Sequence, residues 1–168
     1  YMNVYVAASA AGAAGYTNYP SDWGANTDGI VLKHDYVGSI GTSNTYRSRT
    51  LTHECGHWLN LPHTWGSSNN PNEEENCDVD DGVEDTPLCL GSPVGFCDPE
   101  RTTCGTLDNV QNYMEYSYCS KMYTLGQRAR MRTALNNSLA DRDELWTPQN
   151  LEDTGVFEEE LLCRAEFT

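Results

Sequence analysis

Three histidines and one glutamate lie within eleven residues of this chain, in the run His53-Glu54-Cys55-Gly56-His57-Trp58-Leu59-Asn60-Leu61-Pro62-His63. His53 and His57 are four residues apart, so on a helix their side chains lie one above the other on the same face. Apolar residues recur nearby at three- and four-residue steps, which predicts a helix over residues 46–59 with one buried face. That apolar stripe consists of Leu51, Cys55, Trp58 and Leu59.

The end of this helix is also encoded locally. A continuing helix would carry His63 six residues past His57 and away from the face that holds the first two histidines. Pro62 disfavours helical geometry at the residue before it. Asn60 is the kind of non-glycine residue that most readily adopts the left-handed conformation that ends helices. The sequence therefore predicts a chain reversal at Asn60 that brings His63 back toward the pair.

Three imidazoles arranged in this way suit a zinc ion. Two histidines on one helix face bind zinc at about 2.0–2.1 Å each, and three protein ligands leave the fourth position open, as in catalytic sites. Glu54 follows the first histidine and would lie beside the metal, where a general base accepts a proton from zinc-bound water that attacks a carbonyl. The alternative is a helix with unrelated surface histidines, and His34 is interpreted as an ordinary histidine outside the site.

Composition excludes several functional classes. The chain has 168 residues, with 38% hydrophobic and 21% charged, which indicates one folded domain. Its formal net charge of -15 argues against binding to nucleic-acid phosphates or to anionic lipid. No apolar run approaches the roughly 20 residues that a membrane span needs. Because the first residues already alternate like a strand, we expect the chain to start inside a longer precursor.

Periodicity places the remaining elements. Residues 1–7 alternate as a half-buried strand, and residues 29–37 contain a second strand candidate. A second helix is predicted over residues 124–139, with Thr124 and Gln127 as its capping box and Leu125, Ala129, Arg132, Leu135 and Leu139 along one side. We expect residues 1–148 to form the main domain and residues 149–168 an acidic C-terminal extension.

Seven cysteines are many for a chain of this length, and five of them lie between residues 77 and 119. This loop-rich segment contains no lysine or arginine over residues 64–100, and such irregular segments need cross-links or ions to hold one shape. The clustering indicates disulfides formed in an oxidising compartment. A cysteine zinc site is the alternative, although no CxxC pair occurs. Because the count is odd, at least one thiol has no partner within the chain.

The histidine run resembles the extended zinc motif of the metzincin metalloproteases, and of the pappalysin family in particular. A second stretch, Asn112-Tyr113-Met114-Glu115-Tyr116, resembles the Met-turn of that family. The resemblance covers roughly residues 1–140. It implies a secreted zinc endopeptidase with an α+β fold: an upper mixed β-sheet with the active-site helix, and an irregular, disulfide-stapled lower subdomain that ends in a helix.

Carried over by position, the resemblance assigns roles to individual residues. It implies that His53, His57 and His63 bind zinc and that Glu54 is the general base. Met114 would form the apolar floor beneath the metal, and the Tyr116 hydroxyl would donate to the oxyanion. Asn60 stands where the family usually has glycine, which the left-handed turn tolerates at a modest conformational cost.

The resemblance also suggests a calcium site and a disulfide pattern. The stretch from Asp81 to Pro87 is similar to a segment that binds structural calcium. By this likeness Asp81 and Thr86 are the stronger ligand candidates, and the Glu84 main-chain oxygen and Asp85 are the weaker ones. A solvated acidic loop is the alternative. The same likeness implies the disulfides Cys77–Cys104 and Cys97–Cys119. Cys55 is expected to be a buried thiol, and Cys89 and Cys163 could pair with each other or with partners outside this chain.

The expected partners are protein or peptide substrates, together with a propeptide or further domains of the precursor. Family members that cleave beside arginine carry an acid shortly after the Met-turn tyrosine, in the pocket for the residue that follows the cut. The segment Tyr116-Ser117-Tyr118-Cys119 has no acid, which argues against an arginine preference. Two other functions compete with the peptidase: an inactive, metal-stabilised binding or adhesion module, and an HExxH hydrolase of another clan with a distant glutamate as third ligand.

Overall fold

The computed structural model of the chain describes residues 1–21 and 27–156. Its first part forms a three-stranded sheet from β1 (Val4–Ala7), β2 (Gly15–Thr17) and β3 (Ile30–Lys33). The third strand lies in the middle, parallel to β1 and antiparallel to β2. The sheet is therefore mixed, as predicted.

The side chains of β1 do not follow the half-buried pattern that was predicted for residues 1–7. Val4, Tyr5 and Val6 are all exposed, at 38%, 57% and 56%. By contrast, the central strand buries Ile30 and Leu32 completely. Alternation in the sequence shows which side chains share a face of the strand, but a face is buried only where a second layer covers it. Within the described residues the helix that carries the histidines packs mainly on β2 and β3, so β1 stays exposed.

The helix that carries the histidine run is α1 (Thr50–Trp58), preceded by one 3₁₀ turn, Arg47–Arg49. Its apolar side packs on the sheet, where Trp58 joins Ile30 and Leu32 in the core. Half-buried side chains complete this cluster, namely Leu51, Cys55, Leu59 and Leu145. Burial of each large apolar side chain contributes about 1.5–3 kcal/mol, so this contact fixes the helix on the sheet.

The chain after α1 is largely irregular and is held by cross-links. It contains a 3₁₀ helix (Glu74–Asp78) and a small hairpin of β4 (Thr102–Thr103) and β5 (Thr106–Leu107). Two disulfides, Cys77–Cys104 and Cys97–Cys119, join this segment, and they are the pairs that the resemblance implies. Cys55 and Cys89 are free thiols, Cys55 only half-buried, whereas Cys163 lies outside the described residues.

The second long helix, α2 (Leu125–Leu135), begins with the predicted capping box of Thr124 and Gln127. The predicted apolar side was wrong: Leu125 is 75% exposed, whereas Gln127 and Ala134 are buried. The helix presents its cap glutamine, and not a leucine stripe, to the rest of the molecule. Two 3₁₀ helices (Leu139–Asp141 and Asp143–Trp146) and α3 (Pro148–Asp153) follow.

The small mixed sheet, the helices and the stapled irregular segment together make the fold α+β, as predicted. Part of the predicted extension forms α3, and residues 157–168 lie outside the described part of the chain. Over residues 1–21 and 27–156, the helices are too short and too polar to cross a membrane.

Candidate metal centre

The three histidines of the run meet at one point between α1 and the segment that follows it. One ring nitrogen from each of His53, His57 and His63 lies within 4.8 Å of the others. In the part of the chain that the structure describes, this is the one place where three such side chains could hold a metal ion. His57 and His63 are buried, and His53 is half-buried.

A helix-ending motif returns the chain to this point. Asn60 adopts a φ of 71°, in the left-handed region. The Leu61 N–H donates to the Gly56 carbonyl and the Asn60 N–H to the His57 carbonyl, both at 2.9 Å, which is the bonding pattern of a Schellman motif. The reversal predicted from Asn60 and Pro62 is therefore present, and it directs His63 toward α1.

Each imidazole is oriented by a hydrogen bond from its Nδ1 to a backbone carbonyl. The acceptor is Tyr113 for His53 at 2.6 Å, Leu61 for His57 at 2.7 Å and Ser68 for His63 at 2.8 Å. A carbonyl can only accept, so Nδ1 carries the proton and Nε2 keeps its lone pair. Carbonyl acceptors of this kind fix the tautomer and ring orientation of metal-binding histidines.

The lone pairs of two of these histidines face each other. The Nε2 atoms of His57 and His63 are 3.1 Å apart, and neither has a proton to share when both Nδ1 atoms donate elsewhere. Burial and the mutual proximity of the rings lower the pKa of His53 to about 3 and the pKa of His63 well below its usual value, while burial lowers that of His57. The cluster is therefore neutral and electron-rich, as a cation site must be.

Glu54 lies beside the cluster on the same helix. It is only 6% exposed, and its carboxylate accepts no hydrogen bond from the residues that the structure describes. Burial raises the pKa of Glu54 to about 8. A divalent cation nearby would favour the ionised form and counter this rise. The environment is thus one in which a carboxylate can take up and release a proton near neutral pH.

Met114 lies directly beneath α1 and is fully buried. A Cβ atom at Gly56 would overlap the Met114 sulfur, so a larger residue there would force the buried Met114 side chain or its surroundings to shift. Gly56 was not singled out from the sequence, because a glycine inside a helical pattern gives no sign of what approaches it. The resemblance implies that Met114 is a floor beneath the metal, and the structure places its sulfur against Gly56 of the histidine-bearing helix.

Aromatic rings surround the histidines. The Tyr116 ring lies 4.9 Å from His63 and 5.6 Å from His53, and Trp65 stacks on His63 at 4.4 Å. Burial, followed by the nearby Glu54 carboxylate, raises the pKa of Tyr116 to about 12, so its hydroxyl keeps its proton. The Tyr116 side chain is thus a hydrogen-bond donor at the edge of the cluster.

Tyr19 is a further aromatic neighbour that sequence patterns did not indicate. Its ring contacts His57 edge-on at 5.4 Å. Burial is the main cause of its raised pKa, with smaller and opposing effects from Arg130 and Glu54. Tyr19 comes from the segment after β2, far from the run in sequence, and no spacing relates the two.

The acidic loop brings together Asp81 and Thr86, the better of its predicted ligand candidates. Asp81 is buried, and its Oδ1 accepts from the Val83 N–H and the Thr86 hydroxyl. Glu84 is exposed, and the Asp85 carboxylate accepts from the Gly126 N–H at the start of α2. The loop therefore uses most of its carboxylates to hold itself and the second helix.

One oxygen of this loop is left without a partner. Asp81 Oδ2 is buried and has no hydrogen bond within the described residues. Burial raises the pKa of Asp81 to about 6. The Asp81 carbonyl, by contrast, accepts from Arg130 at 3.0 Å. Asp81 is thus the member of the predicted calcium set that most needs a cation.

The histidines open into a cleft of about 620 Å³ between the sheet and the irregular segment. Its walls come from the β2 edge, the turn before α1 and the segment that follows Met114. The site is therefore reachable through this cleft, which the histidines and Glu54 help to line.

This fold and site define a metzincin-type peptidase domain, and the chain belongs to the M43 peptidase family. The family model, described as pregnancy-associated plasma protein-A, matches residues 1–136. An extracellular metalloprotease of Verticillium alfalfae is 35% identical over 149 residues, which are 81% of this chain and 50% of that protein. Extracellular metalloprotease 1 of Coccidioides posadasii is 36% identical over 141 residues, 77% of this chain and 48% of that protein.

Solved structures agree with these relatives. Mature mirolysin of Tannerella forsythia in complex with a cleaved peptide matches with a TM-score of 0.73 and 31% identity, over 86% of this chain and 56% of that one. A promirolysin mutant of the same organism matches with the same score, over 49% of its length. This chain thus spans about half the length of the relatives that it matches.

Proposed function

We propose that this chain is the catalytic part of an extracellular zinc endopeptidase, with residues 1–148 as its main domain. The observation that carries the proposal is the facing pair of unprotonated Nε2 atoms on His57 and His63, 3.1 Å apart, with His53 beside them. Two lone pairs at this distance repel each other unless a cation lies between them, and neutral imidazoles are good zinc ligands. The donor set therefore fits zinc.

His53, His57 and His63 would hold the ion. When bound, zinc would supply a Lewis acid that polarises the scissile carbonyl and lowers the pKa of water at the site. Glu54 would accept the proton of the attacking water and pass it to the leaving amine. Tyr116 would donate its hydroxyl proton in a hydrogen bond to the carbonyl oxygen as negative charge develops there.

The test is Glu54→Gln, which keeps the shape of the side chain and removes its basicity. We expect the rate of peptide hydrolysis to fall by about 10²–10⁴-fold or more, while zinc content stays near one ion per chain. Tyr116→Phe should lower kcat with little change in zinc content. Hydrolysis by Glu54→Gln at the wild-type rate would overturn the proposed roles, and a wild-type chain that binds zinc without cleaving any peptide would favour a binding module.

We further propose that Asp81 and Thr86 take part in a calcium site, supported by the unpartnered, buried Oδ2 of Asp81. Carboxylate and carbonyl oxygens are the ligands that calcium prefers. Because the Asp85 carboxylate bonds to α2, carbonyl oxygens such as that of Glu84 would complete the set. Calcium should raise the melting temperature of the wild type but not of Asp81→Asn, with the exposed Glu84→Gln as the control. An equal rise in all three would contradict the site.

Extracellular location and peptide substrates are proposed on the names of the relatives, which are called extracellular metalloproteases. A propeptide in the precursor is proposed because a promirolysin form of a structural relative exists. The disulfides Cys77–Cys104 and Cys97–Cys119 suit an oxidising compartment.

A further inference from the structure

One wall of the cleft is basic, although the chain as a whole is strongly acidic. Arg47 and Arg49 both line the cleft, in a chain that has only 10 lysines and arginines against 25 acids. They come from the 3₁₀ turn just before α1, and Tyr46 and Tyr118 line the same cleft. The charge of this wall depends on which carboxylates compensate the two guanidinium groups.

Arg47 has a carboxylate partner. Its NH1 lies 3.1 Å from Asp35, and its guanidinium lies over the Tyr36 ring at 4.9 Å. The same Asp35 carboxylate also pairs with Lys33 at 3.1 Å. One carboxylate therefore pairs with two basic side chains, so the group of Asp35, Lys33 and Arg47 keeps a net positive charge.

Arg49 has no carboxylate partner among residues 1–21 and 27–156. Its NH1 donates to the backbone carbonyl of Ser120, in the segment after Tyr116. A guanidinium has five N–H donors in a fixed fork, so one carbonyl leaves most of them unused. Arg49 is therefore a cation held in place beside the cleft with donors to spare.

Among the described residues, two carboxylates line the cleft, and neither forms an ion pair with Arg49. Glu54 stands beside the histidines, where the proposed chemistry needs it. Glu115 is 3% exposed and accepts from the Thr64 hydroxyl at 2.5 Å and from the Ser92 N–H at 2.7 Å. The charge of Arg49 therefore has no carboxylate partner in the described part of the cleft.

We propose that Arg49 gives the cleft a preference for peptides with an acidic side chain next to the scissile bond. A carboxylate is the group that matches a guanidinium fork, and complementary charge gives specificity in a partly buried cleft. The inference rests on the proposed function, since it presupposes that the cleft receives peptides. Ser117, Tyr118 and Cys119 offer no acid that would attract a basic side chain instead.

The experiment measures cleavage and binding separately. Wild-type enzyme loaded with zinc is given a peptide library in which each position flanking the cut is Glu, Gln, Leu or Arg, and kcat/KM is compared. The binding of labelled peptides with Glu or Gln at those positions is then measured on zinc-loaded Glu54→Gln by fluorescence anisotropy. Binding needs no catalysis, so it reports on Arg49 even if the proposed hydrolysis fails.

Three variants identify the source of the preference. Arg49→Gln removes the charge at the cleft, and Arg132→Gln, on the exposed side of α2, removes the same charge elsewhere. Tyr118→Asp adds a carboxylate to the lining of the same cleft without altering Arg49, with Tyr118→Asn as its uncharged control. Arg49→Gln loses the hydrogen bond from Arg49 to the Ser120 carbonyl and could fail to fold for that reason. In that case the comparison of Tyr118→Asp with Tyr118→Asn still tests the proposal.

We expect the Glu peptide to exceed its Gln counterpart by about tenfold or more in kcat/KM at one flanking position, and in binding, with the ratio decreasing as salt increases. Arg49→Gln and Tyr118→Asp should bring this ratio near one, whereas Arg132→Gln and Tyr118→Asn should keep it. A wild-type ratio near one in binding, or a preference for Arg peptides, would overturn the proposal. Preferential binding of Glu peptides without cleavage of any peptide would support Arg49 and refute the peptidase function.

Discussion

Asn112 and Gln127 bond to each other through both of their side-chain amides. Asn112 Nδ2 donates to Gln127 Oε1 at 2.8 Å, and Gln127 Nε2 donates to Asn112 Oδ1 at 3.2 Å. Each amide oxygen also accepts a backbone N–H, from Met114 and Thr124 respectively. Both side chains are fully buried. The capping box of α2 is therefore also the anchor of the turn that holds Met114 under the histidines.

Gln127→Ala should lower the free energy of unfolding by about 2–4 kcal/mol, because it leaves the buried amide of Asn112 and the Thr124 N–H without partners. Thr124→Ala removes only the hydroxyl half of the cap and should cost about 1 kcal/mol. Urea denaturation of both variants, of Asn112→Ala and of the double variant Asn112→Ala/Gln127→Ala measures these losses and the coupling between the two amides. A double variant as unstable as the sum of the single ones would show that the two amides act independently.

Gly56→Ala should destabilise the protein, although alanine is normally the better helix former by about 1 kcal/mol. The new Cβ would overlap the Met114 sulfur, so the buried Met114 side chain, the helix or the Met-turn must move, at a cost of about 1–3 kcal/mol. Zinc affinity should fall too, since His57 is the next residue. The measurement is urea denaturation together with zinc titration.

Met114→Ala provides the matched control for this overlap. Alone it should cost about 2–5 kcal/mol, because it leaves a cavity in a fully buried place. Combined with Gly56→Ala it should cost less than the two single changes together, since the added methyl partly fills that cavity. Strict additivity would contradict the contact between Gly56 and Met114.

Local signals in the sequence predicted the geometry of the run well. Helical spacing placed His53 and His57 on one face, and the conformational freedom of Asn60 together with Pro62 placed the reversal. These effects act within about one helical turn, so they can be derived from neighbouring residue types. The capping box of Thr124 and Gln127 belongs to the same class.

Burial and long-range pairing could not be derived in this way. The alternation of β1 was the same as that of a half-buried strand, yet its side chains are exposed because no described layer covers them. Gln127 was assigned to a cap, but its second bond, to Asn112, depends on tertiary packing. Tyr19 reaches the cleft from a separate segment, and only the folded arrangement brings it to the histidines.

Removal of zinc should destabilise the wild-type protein. Without a cation, the lone pairs on Nε2 of His57 and His63 face each other at 3.1 Å. Zinc present at 1,000 times its dissociation constant would stabilise the fold by about 4 kcal/mol. A chelator should therefore lower the melting temperature of the wild type and of His34→Ala, whose exposed histidine lies outside the cluster. His63→Ala should show little response. Equal responses in all three would argue against the histidine site.

Arg142 is a charged side chain with only 1% exposure, and it clamps the end of α1. Its two terminal nitrogens pair with both oxygens of Asp28 at 2.6 and 2.9 Å, and its guanidinium lies 3.5 Å from the Trp58 ring centroid. Trp58 also donates its indole N–H to Asp28 at 2.9 Å. These three residues join the chain before β3, the end of α1 and the segment after α2.

Asp28→Ala should lower the free energy of unfolding by about 3 kcal/mol, because it leaves the Arg142 guanidinium buried without a counter-charge and the Trp58 indole N–H without its acceptor. Lys33→Ala removes a partner from the more exposed Asp35 pair and should cost less than about 1 kcal/mol. Chemical denaturation of the two variants gives the comparison directly. Equal losses would show that burial of Arg142 adds nothing to the stability. The expected difference would show that the helix bearing the histidines is supported by a pair of residues, Asp28 and Arg142, that lie 114 positions apart in the chain.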